Sequence, residues 1–318
     1  MLHVTNGDCA VERLRAAGMQ GTLLPWRDVL HDGPVPGGLA LDALSRVRAD
    51  FIARGMSAAD AQAVRRDFAA RDHTLAASAA EDAVVLWFEH DLYDQLQLVQ
   101  LLHWFADHPP PRLTLINPPE YLGLMEAGRM QALFAARAAV TPAQLDVGRQ
   151  AWDAFRGPDP RRLETVMHAD DVGALPHLRA ALRRLLEEYP STDDGLSRSE
   201  RQALQAFAAG AGTLRDAYPR AHHEVEDPIW MGDSSFVDVV QALASGPAPL
   251  LELYDAEDAK HPVLDRAVRL TGLGRDVLEG RADAVKAHGI DRWMGGVRLD
   301  GRSVPWRWDR RAGRIVPA

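Results

Sequence analysis

Glu89, His90 and Asp91 follow Ala83-Val-Val-Leu-Trp-Phe88, a run that is otherwise wholly apolar. Three ionisable groups at the end of a buried segment are costly unless they face water, a metal or one another. Asp91 and Asp94 are one helical turn apart, so they share a face, with Gln95 beside them. Asp91 has a second possible role as the N-cap of the helix that follows. A further polar group, Asn6-Gly7-Asp8, ends the short run Leu2-His-Val-Thr5. Gly7 lets the backbone turn tightly and approach a ligand closely. The start of a helix there presents free N–H groups and a positive dipole end to an anion. Asp8 would repel that anion unless it held a metal or a ribose hydroxyl, and it serves equally well as an N-cap. Asp28, His31 and Asp32 lie in a loop stiffened by Gly33, Pro34 and Pro36. An imidazole between carboxylates suits a general base or a metal ligand. A solvated turn with Asp28 as a cap is the structural alternative.

These residues divide into catalytic candidates, His31, Glu89, His90 and Asp28, and ligand-binding candidates, Asn6, Gly7, Asp8, Asp94 and Gln95. Carboxylates, two imidazoles and an amide suit a divalent metal such as Mg, Mn or Zn in metal-assisted hydrolysis. They suit metal-free acid–base chemistry on a nucleotide or sugar as well. Other chemistries are excluded. No Gly-x-Ser-x-Gly supports a serine nucleophile, and the turn after Thr5 lacks the second and third glycines of a dinucleotide fingerprint. The only lysines are Lys260 and Lys286, so the N-terminal part has neither a Walker lysine nor a Schiff-base lysine. Cys9 is the only cysteine, which rules out an internal disulfide and a Cys-rich zinc site. Its expected role is that of a small buried residue on a helix.

The elements that must position these groups read as strand–helix–strand units. Leu2–Thr5 is a strand, Cys9–Ala17 a helix and Gly21–Pro25 a second strand. A Pro- and Gly-rich loop leads to helices over 39–54 and 58–71, the second opened by Ser57 with Asp60. Asp82–Phe88 has the continuous apolar character of a parallel strand covered on both faces. A helix over 91–106 and a strand over 112–116, ending at Asn117, complete a doubly wound, mostly parallel α/β domain over 1–120. In such sheets ligands bind outside the carboxyl ends of the strands, which is where the polar groups fall. Residues 121–190 read as a helical segment packed on that domain, and Tyr189–Gly195 as a linker.

Three stretches resemble a bacterial family catalogued as domain of unknown function 1835: His3–Asp8, Leu24–Pro36 and Glu89–Gln97. The resemblance covers about residues 1–120, and Gly289–Val297 looks like the end of the same architecture. It implies a common fold and a common site, and no mechanism.

The segment 197–318 changes character. Helices over 198–209, 213–223 and 234–245 precede strands over 249–254 and 267–270 and a short helix over 272–279. That order predicts a winged-helix-like α+β domain, followed by a tail, with Trp293, Trp306 and Trp308 around Gly295-Gly296 and Gly301, that reads as a terminal β-hairpin. Its third helix contains no Arg or Lys, whereas a groove-reading helix needs cations. The segment has 17 Lys and Arg against 18 Asp and Glu, and the whole chain has a net charge of −9, so nucleic acid is a disfavoured partner. His222-His223-Glu224 reads as a surface group at a helix end.

No signal peptide and no spanning apolar run is evident, so a cytoplasmic protein without membrane contact is expected. The expected function is an enzyme, hydrolase or transferase, acting on a phosphate-bearing small molecule, with a divalent metal as the possible cofactor. A ligand-sensing regulator with a winged-helix effector and a non-catalytic scaffold are the alternatives.

Overall fold

The apolar run before Glu89 becomes the middle of a five-stranded sheet. The computed structural model describes residues 1–54, 56–254 and 263–318. Up to the end of the sheet the elements are β1 (Leu2–Thr5), α1 (Asp8–Ala16), β2 (Thr22–Pro25), β3 (Gly33–Pro34), α2 (Leu41–Ile52), α3 (Ala58–Ala76), β4 (Val84–Trp87), α4 (Leu92–Asp107), β5 (Leu113–Ile116), α5 (Ala127–Ala136) and β6 (Ala138–Ala139). The sheet order is β2-β1-β4-β5-β6. The first three pairings are parallel and β6 runs antiparallel to β5. From β1 the chain winds outward to β2, and from β4 it winds the other way to β5. The crevice at this reversal is where doubly wound sheets bind ligands. Thr5 stands opposite Trp87 in the β1–β4 register, so Asn6 and Glu89 leave the sheet at one edge, side by side.

Both faces of β4 are covered, which explains why it shows no polar alternation. Val85 and Trp87 pack with Ala10 and Leu14 of α1, Ile116 of β5 and Met130 of α5 in one core. Val84 and Leu86 point to the opposite face and are fully buried. Helix α4 buries Leu96, Leu98, Val99, Leu101, Leu102 and Phe105 together with Asp94, Gln95, Gln97 and Gln100, so it is an internal helix with a polar stripe. It packs on α6 (Pro142–Phe155). A Cβ at Gly148 would lie 2.5 Å from the Leu102 Cβ, so the glycine sets how closely the two helices approach. Helices α7 (Arg161–His168) and α8 (Leu178–Leu186) follow.

The chain forms two compact units: Met1–Arg183 with Trp293–Val297, and Arg184–Arg292 with Arg298–Ala318. In the first unit Met294 and Gly295 return to pair in parallel with Gly33 and Pro34. The expected helical segment over 121–190 belongs to the first unit as far as Arg183 and to the second from Arg184, and it contains a strand. Ala138-Ala139 is too short and too uniform to show a period in sequence.

The second unit contains α9 (Arg198–Ala208), α10 (Leu214–Tyr218), α11 (Asp233–Leu243), β7 (Leu251–Tyr254), β8 (Ala267–Leu270), α12 (Gly272–Leu278), α13 (Ala284–Ala287), and the C-terminal pair β11 (Trp306–Asp309) and β12 (Arg314–Pro317). Strands β9 (Ile290–Gly295) and β10 (Val297–Gly301) precede that pair in the chain. β7–β8 and β11–β12 are antiparallel two-stranded sheets. Tyr189–Gly195 is not a free linker. Tyr189, Ser191 and Asp194 are buried, and the backbone bonds Ser191 N to Leu196 O and Thr192 N to Trp308 O close the turn. His222, read as a surface residue, is 2% exposed and accepts hydrogen bonds from the Trp230 and Met231 N–H groups. Burial, with the nearby Arg184 charge, holds its pKa down at about 4, so it stays neutral. Lys260 lies outside the described residues. Among the described residues no helix is long and apolar enough to cross a membrane.

Candidate functional site

The site begins at Asn6, the residue after β1. Its side-chain N–H₂ donates to Glu89 Oε1 at 3.1 Å and to Asp94 Oδ2 at 2.9 Å. One amide thus ties the first strand end to the second. Asp94 Oδ1 accepts from the Glu89 backbone N–H at 2.6 Å, and Glu89 Oε1 accepts from the Leu122 N–H at 2.6 Å. Asp91 is the N-cap of α4, accepting from the Asp94 N–H at 3.0 Å. Gln95 donates to the Glu89 carbonyl, while its buried Oε1 has no partner among the described residues.

Glu89, Asp91 and Asp94 are 4%, 5% and 0% exposed. Each offers a carboxylate oxygen within 4.8 Å of the other two. Burial is the largest influence on all three and favours the protonated form. For Glu89 and Asp91 the neighbouring Asp94 charge adds to it. Glu89 is pushed up to about 8 and Asp94 to about 7, and Asp91 lies well above the usual carboxylate range. The opposing influences are neutral donors: backbone N–H groups and the Asn6 amide. Without a cation, protons must occupy this cluster at neutral pH. A hard divalent ion fits the same donors, because such ions take several oxygen ligands and lean on carboxylates. Asp91, discounted in the sequence because a cap explains it, is both a cap and a member of the triad.

His31 and His90 each lie against an aromatic ring. His31 is 6% exposed and lies edge-on to the Tyr93 ring, centroids 6.0 Å apart. The Tyr93 hydroxyl donates to the Asn6 carbonyl at 3.3 Å, so one aromatic ring joins His31 to the Asn6 turn. His31 Nε2 is 3.4 Å from Asp32 Oδ2. His90 is half-buried against Tyr121 at 5.1 Å and His177 at 5.8 Å between ring centroids.

The remaining candidates take structural roles. Asp28 is fully buried and its Oδ1 accepts from Arg48 Nε at 2.9 Å. Arg48 also donates to the carbonyls of Val29 and Asp32, and Gln97 donates to the Asp28 carbonyl. This network holds the loop that carries His31; Asp28 Oδ1 is engaged in it, and Oδ2 lies 3.8 Å from Arg71 Nη1. Gly7, not Asp8, is the N-cap of α1, and no side chain caps that end. Asp8 is exposed and accepts two hydrogen bonds from Arg27, at 2.9 and 2.6 Å, which hold its carboxyl below the usual range. Cys9 is exposed, contrary to the expectation of a packed thiol, because Ala10, Val11 and Leu14 form the buried stripe of α1.

Sequence reading missed Asn117, His177 and Arg48. Asn117 follows β5 as Asn6 follows β1, and donates to the Phe88 and Glu89 carbonyls at 2.7 and 3.1 Å; its place after a strand was a usable signal. His177 Nε2 lies 3.2 Å from the Asn117 carbonyl, an approach across 60 residues that no local spacing announces. No family model and no curated protein matches this chain.

Proposed function

We propose that the first unit is a metal-assisted enzyme, a hydrolase or transferase, acting on a phosphate-bearing small molecule such as a nucleotide or related ester. The observation that carries this reading is the buried Glu89–Asp91–Asp94 cluster at the reversal point of the sheet. Glu89, Asp91 and Asp94 would hold the ion, and the Asn6 amide keeps two of the three carboxylates in place. A divalent ion there supplies charge stabilisation to a phosphoryl oxygen and a more acidic bound water. The uncapped N-terminus of α1 adds free N–H groups for an anion. His31, whose loop the Arg48–Asp28 network holds, is the imidazole assigned to take or give a proton. We also propose membership of the family of domain of unknown function 1835, and a winged-helix-like identity for α9–α11 with β7 and β8.

The test is Mn²⁺ binding followed by turnover. Mn²⁺ is expected to bind the wild-type protein at pH 8 and not Asp94→Asn. A panel of nucleotides and phosphoesters with Mn²⁺ or Mg²⁺ should then show phosphate release or transfer that Glu89→Gln abolishes and His31→Ala reduces. Normal folding of all variants with no metal-dependent turnover in the wild type refutes the reading.

A further inference from the structure

A cleft of about 400 Å³ opens beside the same turn. Its wall is apolar, formed by Val11 of α1, Leu23 of β2, and Val64 and Phe68 of α3. Its charged groups carry both signs: Arg15, Arg27 and Arg71, Asp8 and Asp67. Asp8, Val11 and Arg15 enter it from one face of α1, at helical spacing, while Ala10, Leu14 and Ala17 face the core. The volume falls in the range of small-molecule sites, about 300–1,000 Å³.

We propose that this cleft holds the base and sugar of a nucleoside-type ligand, with Arg27 and Asp8 reading its polar edge. The inference rests on the reading of the neighbouring carboxylates as a phosphate-chemistry site. A free sugar or phosphate would leave the apolar wall unused. An acyl chain would offer the arginines and aspartates no polar group to meet. A flat heterocycle has two apolar faces and an edge with both donors and acceptors, and it matches both features.

Arg27 connects the cleft to the carboxylate cluster. It is the non-glycine residue with positive φ among the described residues, at 50°, a conformation disfavoured by its Cβ. Functional sites are where such strain is retained. Its backbone N–H donates to the Asn6 carbonyl at 3.2 Å, and the Asn6 side chain holds Glu89 and Asp94. The Arg27–Asp8 pair is 48% and 62% exposed on its two sides, so solvent weakens it and a ligand can compete for both partners. A base seated against Phe68 and Val64 would send its sugar past Asp8 and Gly7, toward the open N-terminus of α1.

The experiment is titration calorimetry on the full chain with adenosine, guanosine, cytidine and uridine, in metal-free buffer, against decanoate and ribose as controls. At least one nucleoside is expected to bind and neither control. Val64→Trp, which fills the cleft, and Arg27→Ala are each expected to weaken binding about tenfold or more, the scale of a lost charge-assisted contact. Arg27 is exposed, so its variant tests the proposal even if Val64→Trp fails to fold. Decanoate binding without nucleoside binding overturns the proposal, as does nucleoside binding that Arg27→Ala leaves unchanged. Cleft-dependent nucleoside binding in a protein that takes up no Mn²⁺ upholds this inference and removes the metal reading alone.

Discussion

Replacing Glu89 by Gln should make the metal-free protein more stable at high pH and leave it unchanged at low pH. The carboxylate Oε1 accepts from the Leu122 N–H and the Asn6 amide, and a Gln carbonyl can keep both bonds. What the substitution removes is the charge. Burial first, and the Asp94 carboxylate second, raise Glu89 from 4.5 to about 8. A folded-state pKa above the unfolded one means the native state holds its proton more tightly. The stability this contributes is fully present below about pH 4.5 and is lost as pH rises toward 8. Each tenfold change in proton affinity is worth about 1.4 kcal/mol, so the whole rise corresponds to about 5 kcal/mol. That is an upper limit, since water entering the crevice would relieve part of it. Urea unfolding in EDTA, followed by circular dichroism at pH 5 and pH 9, measures the difference. Glu89→Gln should match the wild type at pH 5 to within about 1 kcal/mol, and exceed it by several kcal/mol at pH 9. Mn²⁺ at pH 9 should stabilise the wild type and not the variant. Equal effects of the substitution at both pH values, or a less stable variant at pH 9 in EDTA, would refute the account of the cluster.

Arg48→Met should destabilise the protein by about 3 kcal/mol, because it leaves the fully buried Asp28 carboxylate with only the longer Arg71 pair at 3.8 Å. Arg48→Met with Asp28→Leu should recover much of the loss in urea unfolding, and no recovery would mean that Asp28 is not committed to that pair. Gly33→Ala should cost about 3 kcal/mol, since Gly33 has φ +76° and a Cβ there would lie 2.5 Å from the Phe51 ring. A melting temperature within a degree or two of wild type would show that the loop relaxes more easily than its packing implies.

The local elements were legible because each rests on a short-range signal. The continuous apolar run before Glu89 announced a strand buried on both faces, and β4 is such a strand. Ser57 and Ser197 opened helices as their capping chemistry requires, each accepting from the N–H three residues on. Strand β6 was not legible, because two alanines have no period. The buried turn at Tyr189–Gly195 was misread for a related reason: its Asp, Ser, Thr and Gly residues are the same in a solvated linker as in a turn closed by Trp308.

For the site, residue types and strand ends could be read directly. Asn6, Glu89, Asp94 and Gln95 were picked out because polar groups at the end of an apolar strand need a partner. Which groups meet was decided by tertiary structure. The parallel β1–β4 register brings Asn6 to Asp94 across 88 residues. The packing of α2 delivers Arg48 to Asp28 and makes a candidate base into a loop anchor. A carboxylate's role depends on what is buried beside it, and burial and neighbours are properties of the folded chain. The sequence alone determined that carboxylates and imidazoles stand at the ends of apolar strands. Only the fold decided that Glu89, Asp91 and Asp94 close on one point while Asp8 and Asp28 turn to arginines.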